Sequence, residues 1–245
     1  MPRIYSDEFN IDGKATKDFW EMRAEKYSEE HPYVSVKLSD RNPDFSDKID
    51  EYERKNILPM LNIKDDSYVI DIGCGVGRLA ESIVNQCRYY LGTDVSEGLI
   101  QIARKRIVSE TECDFLPMAF QELDNAGEKM KYSGKYNRVI MAGLFLYIND
   151  VEVTKSLENL LAILDEHAVI YISTAVALEE RITLTEWESQ DFAGEYNAIY
   201  RTREEYMKLY KPLLDAGFRV SHQDFLGKDF QRFRETARYY LILER

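Results

Sequence analysis

The sequence predicts an α/β fold: a doubly wound, seven-stranded, mostly parallel sheet with an antiparallel last strand, preceded by N-terminal helices. Three observations carry this. Short apolar runs alternate with helical periods from residue 68 to residue 174, the rhythm of a parallel sheet covered by helices. A glycine-rich turn, Asp71-Ile-Gly73-Cys-Gly75-Val-Gly77, follows the first strong strand and opens a helix. Two closing strands, 218–226 and 238–243, are separated by eleven residues, which suits an antiparallel hairpin rather than a helical crossover.

The elements follow in order. Residues 1–15 read as a loose polar arm, and Thr16 caps a helix running to about Ser28. Its Phe19, Trp20, Arg23, Ala24 and Tyr27 share one face. Residues 29–46, with two prolines, read as a loop and lid; a second helix covers 47–61, disturbed by Pro59 in its last turn. Strands are predicted at 68–72, 89–93, 113–117, 136–142 and 168–174. Between them lie a helix over 77–87, a helix capped by Ser96, and a helix capped by Asp150 with Val153, Leu157, Leu160, Leu161 and Leu164 as its stripe. Residues 178–200 break the rhythm with polar residues and the aromatics Trp187, Phe192, Tyr196 and Tyr200. Thr202-Arg-Glu-Glu205 is a capping box, and its helix ends at Gly217.

Composition narrows the function. The chain of 245 residues has 32 basic and 44 acidic side chains, a formal net charge of -12, which repels polyanions and argues against DNA or RNA as substrate. Its three cysteines, at 74, 87 and 113, form no Cys-x-x-Cys pair and no zinc pattern. No apolar run approaches the roughly 20 residues of a membrane helix, and the N-terminus lacks the core of a signal peptide. A soluble cytoplasmic protein, monomer or homodimer, acting on a small molecule and not on a membrane, is the expectation.

The glycine turn places a ligand at the carboxyl ends of the strands, where strand order reverses. A dinucleotide site is the obvious competitor, but its Gly-x-Gly-x-x-Gly pattern is not met: Gly77 comes one residue early. Asp71 also stands two residues before Gly73, and a carboxylate suits a ligand ammonium better than a phosphate. Asp94 ends the second strand, 17 residues after Gly77, where its two oxygens can accept both ribose hydroxyls. NAD proteins use the same device, so Asp94 alone does not discriminate.

Taken together, Asp71 to Gly77 and Asp94 in Leu-Gly-Thr-Asp-Val-Ser resemble the first two motifs of class I S-adenosylmethionine-dependent methyltransferases, and the order of elements extends the resemblance over residues 55–245. The resemblance implies a Rossmann-like methyltransferase fold with S-adenosylmethionine as cofactor. It divides the chain into an N-terminal arm, helix and lid (1–46) and a methyltransferase domain (47–245), in which 178–200 is a substrate cover. Asp71, Gly73, Gly75, Gly77, Asp94 and Val95 then bind the cofactor. Ala119-Phe120-Gln121 stands where relatives often carry an Asp-Ala pair beside adenine; without that aspartate, Phe120 and Gln121 are left as its neighbours, with core packing the competing reading of Phe120. Ala142, at the end of the fourth strand, passes the methionine portion. Tyr147 matches the position that faces the methyl group and is the candidate catalytic residue, an ordinary buried tyrosine being the other reading. Trp20, Arg23 and Tyr27 resemble a Trp-x-x-Arg-x-x-x-Tyr helix that closes over the cofactor, with Arg23 pairing the cofactor carboxylate; a merely docked amphipathic helix competes.

Methyl transfer requires alignment and exclusion of water more than a fixed set of catalytic groups, so the acceptor is less legible. The Asn/Asp-Pro-Pro-Tyr/Phe and Pro-Cys signatures are absent after the fourth strand, and no metal-ligand set stands at the strand ends. Tyr196, Tyr200, Arg201 and Arg203 are the candidate substrate contacts, in a stretch that resembles methyltransferases of sugars or surface-polysaccharide precursors. The expected acceptor is a hydroxyl of a sugar or phosphorylated metabolite. His31, His167 and His222 read as structural, and the general base is unassigned. The alternatives are a protein or nucleic-acid methyltransferase, a catalytically silent cofactor-binding subunit, and an NAD-dependent oxidoreductase.

Overall fold

A computed structural model describes residues 3–5, 9–125, 130–188 and 195–245; Phe192 and the side chain of Trp187 lie outside them. The chain begins with strand β1 (Arg3–Tyr5) and helix α1 (Gly13–Ala24). Asp12, not Thr16, caps α1, because its carboxylate accepts from Lys14 N at 2.8 Å. The stretch 29–46 is not all loop. It contains a single helical turn α2 (Val34–Lys37), and α3 (Pro43–Tyr52) starts four residues before the predicted 47. Pro43 sits in the first turn of α3, where its missing N–H costs nothing. Beyond α3 the ladder widens to a π turn over Glu53–Ile57 and tightens to a 3₁₀ turn over Leu58–Leu61. Pro59 is the reason, since it has no N–H for the α pattern.

Strand β2 (Tyr68–Ile72) leads into the glycine turn. The helix predicted over 77–87 shrinks to α4 (Ala80–Ile83), because the turn occupies the residues before it. Then come β3 (Tyr89–Asp94), α5 (Glu97–Arg106), β4 (Glu112–Pro117), β5 (Tyr136–Ala142), α6 (Asp150–Leu161) and β6 (Leu164–Ala177). Ser96 caps α5 as expected, its Oγ accepting from Leu99 N. Asn149 rather than Asp150 caps α6, in a box closed by Glu152.

Residues 178–200 are not irregular: they hold the strands β7 (Ile182–Glu188) and β8 (Glu195–Tyr200), which join β1 in a separate antiparallel sheet of order β1-β7-β8. Ile182 and Leu184 of β7 and Tyr196, Ala198 and Tyr200 of β8 are buried, and so are Thr183 and Ile199 between them, so the pair is covered on more than one face. The chain ends with α7 (Arg203–Leu209), α8 (Lys211–Asp215), β9 (Arg219–Phe225) and β10 (Thr236–Glu244).

The main sheet has seven strands in the order β4-β3-β2-β5-β6-β10-β9, and β10 runs antiparallel to both neighbours. Order reverses between β2 and β5, so a crevice opens at their carboxyl ends. One apolar cluster fills the face under α6, α7 and α8, and a second fills the face under α3, α4 and α5. A third, smaller cluster joins Phe19 of α1 and Leu38 to Ile182, Leu184, Tyr196, Ala198 and Tyr200, and so fixes the small sheet over the carboxyl ends of the main one. The capping box of α7 anchors the chain directly after β8, with Thr202 Oγ1 accepting from Glu205 N and Thr202 N donating to Glu205 at 2.7 Å. Thr202→Ala is expected to lower unfolding free energy by about 1 kcal/mol in urea denaturation; an unchanged midpoint would show that the box contributes nothing.

Candidate active site

The turn after β2 is held by its glycines. Gly73, Gly75 and Gly77 have φ of +77°, +56° and +74°, a region that L side chains rarely adopt. Gly73 N and Cys74 N both donate to Thr93 O, at 2.7 and 2.9 Å, and Gly75 N donates to Asp94 Oδ2 at 3.0 Å. A methyl group on Gly75 would come within 2.8 Å of Val36 in α2, so the turn is also where the N-terminal segment approaches most closely. Asp94 Oδ1 accepts from Ser96 N at 2.9 Å. Behind the turn, Tyr90 donates its hydroxyl to Asp71 Oδ2 at 2.7 Å.

A cavity of about 670 Å³ opens at this point, within the range of small-molecule sites. Its inner end is lined by Asp71, Gly73, Gly75, Asp94, Val95, Phe120, Gln121 and Ala142. Its outer end is lined by Trp20, Tyr147, Tyr196 and Tyr200. The tyrosine hydroxyls form a chain, Tyr147 to Tyr196 and Tyr196 to Tyr200, each link 3.2 Å. Trp20 meets the Tyr147 ring edge-on at 5.0 Å. Phe120 is both a lining and a core residue, with its ring 5.9 Å from Phe145.

Burial shapes the electrostatics. It pushes the Asp71 carboxyl up to about 6, against the Tyr90 hydrogen bond. It pushes Asp94 up to about 6 as well, against the N–H groups of Ser96 and Gly75. It also raises the phenols of Tyr147, Tyr196 and Tyr200, so each remains a protonated hydrogen-bond donor at neutral pH.

Five expected site residues lie elsewhere. Gly77 does not line the cavity; it lets the turn pack on α5, where a methyl group would strike Ile107 at 2.9 Å. Tyr27 is also off the cavity, with the Arg106 guanidinium over its ring. Arg23 is fully buried and consumed locally: it donates to Ser35 O, to Val34 O and with two nitrogens to Asp40, at 2.6 to 3.0 Å. It staples α1 to α2 instead of reaching a ligand. Arg201 is likewise buried, donating to Phe145 O and Ile148 O at 2.6 Å each and to Asp150 at 2.5 and 2.8 Å. Arg203 contacts Gln223 at 3.3 Å and the Tyr239 ring. None of the three histidines lines the cavity, and no metal-ligating cluster occurs among the described residues.

Other lining residues were missed. Lys37, Arg78, Arg232 and Arg238 face the cavity. Arg78 pairs with Asp50 and Glu53, both at 2.7 Å, and Lys37 reaches Glu53 at 3.1 Å. Burial, reinforced by Arg78, lowers Lys37 to about 7 despite Glu53. Burial raises Glu53, but Arg78, Lys37 and Arg238 outweigh it and hold the carboxyl at about 2. Arg78 directly follows the glycine turn and was the one available signal; the others come from distant segments. Glu21 was also unread. Its carboxylate accepts from Ser96 Oγ, Glu97 N and Gly98 N at 2.7 to 3.0 Å, which binds α1 to the amino end of α5.

The glycine turn, a carboxylate ending the next strand and this strand order agree with what the chain is similar to. Residues 70–170 match the model of a family described as methyltransferase domain. Among curated proteins, phosphoethanolamine N-methyltransferase 1 of Caenorhabditis elegans is 25% identical to this chain over 156 residues, 64% of the chain and 30% of that protein. Solved structures share the fold. Haemonchus contortus phosphoethanolamine N-methyltransferase 1, in complex with phosphoethanolamine and S-adenosylhomocysteine, superposes with a TM-score of 0.70 at 19% identity, over 96% of the chain and 50% of its own. A Leishmania major S-adenosylmethionine-dependent methyltransferase gives 0.68 at 14% identity, over 96% and 87%. Matches to the first two curated relatives span only 30% and 26% of those proteins' lengths. No helix among the described residues is long and apolar enough to cross a membrane.

The burial of Arg201 makes a stability prediction. Arg201→Met is expected to lower the unfolding free energy by about 3 kcal/mol, because two carbonyls lose their donor and Asp150 keeps only Arg181 of its two arginines. Chemical denaturation checks this; wild-type stability combined with a raised acceptor KM would restore Arg201 to the substrate site.

Proposed function

We propose that the chain transfers the methyl group of S-adenosylmethionine to a small polar acceptor, a hydroxyl of a sugar or phosphorylated metabolite, in the cytoplasm. One observation carries the reading: a single cavity joins the glycine turn and Asp94 at one end to the Tyr147–Tyr196–Tyr200 chain at the other. The fit is chemical as well as spatial. Each Asp94 oxygen accepts one backbone N–H and keeps a lone pair for a ribose hydroxyl. Asp71 offers a carboxylate for the ammonium of the methionine portion, while Gly73 and Gly75 let it lie against the backbone. Phe120 and Gln121 stand for the adenine, Val95 beside the ribose, and Ala142 along the methionine chain.

When bound, S-adenosylmethionine supplies a methyl carbon already activated by sulfonium, ready for in-line displacement. The work of this chain is alignment and exclusion of water. Tyr147, kept protonated by burial, donates a hydrogen bond that orients the acceptor; it is not the base. Trp20 and the small sheet close the acceptor end.

Calorimetric titration with S-adenosylhomocysteine is the direct test. Saturable binding is expected for wild type, with NADH failing to bind and Asp94→Ala losing the thioether. Binding of NADH alone would turn the reading into an oxidoreductase, and an unaffected Asp94→Ala would remove the ribose contact.

The carboxyls add a pH dependence. In the free protein Asp71 and Asp94 titrate at about 6, above their ordinary 3.8, so their contribution to folding is full below pH 3.8 and is lost as pH rises through 6. Ligand contacts require the opposite, ionised form. Affinity for S-adenosylhomocysteine should therefore be level above pH 7 and fall below pH 6, by roughly tenfold per carboxylate for each further unit. Affinity that stays constant from pH 7.5 to pH 5 would exclude both carboxylates from the contact.

A further inference from the structure

Arg232 and Arg238 enter the cavity from the connection before β10 and from β10 itself. Phe233, between them in the chain, meets the Tyr200 ring at 6.4 Å, so they belong to the tyrosine end. Both guanidinium groups lie against the Phe45 ring, at 5.8 and 5.9 Å from its centre. Arg232 donates from Nη2 to Lys37 O and Leu38 O, at 2.8 and 2.7 Å. The guanidinium of Arg238 has no hydrogen-bond or carboxylate partner among the described residues.

The nearest carboxylates are already committed. Arg78 holds Asp50 and Glu53, Lys37 shares Glu53, and Arg54 shares Asp50. Lys37, Arg78, Arg232 and Arg238 thus face the cavity, and among the described residues the ion pairs of Lys37 and Arg78 are with Asp50 and Glu53. Burial, Arg232 and Arg78 lower the Arg238 pKa, and the pull of Glu53, which forms no ion pair with Arg238, does not restore it. Such a group is costly in the empty protein and is offset when an anion arrives. The two arginines act on Tyr147 and Tyr200, whereas the cation that most lowers Asp71 is Arg78. That separates them from the glycine-turn end.

We propose that Arg232 and Arg238, flanked by Lys37, form an anion subsite in the acceptor compartment, so that the methylated molecule carries a phosphate or carboxylate group. The inference rests on the methyl-transfer reading and deepens it. Planar guanidinium forks suit either oxyanion.

The test uses the full chain saturated with S-adenosylhomocysteine, titrated with inorganic phosphate and with acetate in calorimetry. At least one anion is expected to bind saturably. Arg238→Gln and, in parallel, Arg232→Gln should weaken it by roughly tenfold or more, with affinity for S-adenosylhomocysteine unchanged. Arg238→Lys should retain part of the binding, and Arg203→Gln, off the cavity, all of it. Absence of saturable anion binding, or wild-type binding in both glutamine variants, overturns the subsite. Equal loss of S-adenosylhomocysteine in Arg238→Gln also overturns it, by assigning the arginines to the cofactor carboxylate. Wild type that binds no S-adenosylhomocysteine defeats the methyl-transfer reading and this inference with it, whereas thioether binding without anion binding defeats the inference alone.

Discussion

The hydrogen bond from Gly75 N to Asp94 Oδ2, 3.0 Å long, ties the turn after β2 to the end of β3, and the cavity is organised around that tie. It exists only because Gly73, Gly75 and Gly77 accept positive φ, which turns successive N–H groups toward β3 instead of along a helix. Thr93 O takes the first two of those groups and Asp94 the next. The carboxylate is thereby fixed at the mouth of the crevice before any ligand arrives. The same geometry consumes the start of the following helix, which is why α4 has a single turn. Local helix propensity loses here to the requirement that buried backbone donors find partners.

This arrangement costs stability. Asp71 and Asp94 are both buried, and neither faces a cation at ion-pair distance among the described residues. Hydrogen bonds from Tyr90, Gly75 and Ser96 offset part of the desolvation, and the raised pKa of each carboxyl measures the part that remains. At the other end Arg238 carries the opposite charge, its pKa lowered by burial and Arg232 in spite of Glu53. Groups left underpaired in a cavity mark where a ligand supplies the missing partner. By contrast Arg23, Arg201 and Arg78 are saturated by protein acceptors, and they brace α1, the end of β8 and α3.

The main sheet was legible because its signals are local: period, cap residues and the glycine turn all lie within a few residues of one another. Asp71, Gly73, Gly75 and Asp94 were legible for the same reason. Arg23 and Arg201 were misplaced because residue type and helix face do not reveal a buried acceptor; Asp40 lies 17 residues from Arg23, and Asp150 lies 51 from Arg201. The β7–β8 pair was missed because its period is blurred: Thr183 and Ile199 are buried along with Ile182, Leu184, Tyr196, Ala198 and Tyr200. Its third strand, β1, pairs across more than 170 residues of chain, as Arg3 with Leu184, and no local pattern announces that. Lys37, Arg232 and Arg238 meet only when α2 and β10 close on the same cavity.

The two ends of the cavity therefore differ in how they are built. The inner end comes from consecutive units of one sheet, and its turn is held by backbone N–H groups donating to Thr93 O and to the Asp94 carboxylate. The tyrosine end is assembled from α1, α2, β8, β10 and the segment before it, joined by side-chain contacts such as Trp20 on Tyr147 and Arg232 on the carbonyls of Lys37 and Leu38. The two ends thus depend on different parts of the chain, the glycine turn on backbone geometry and the tyrosine end on side chains brought together from α1, α2, β8 and β10.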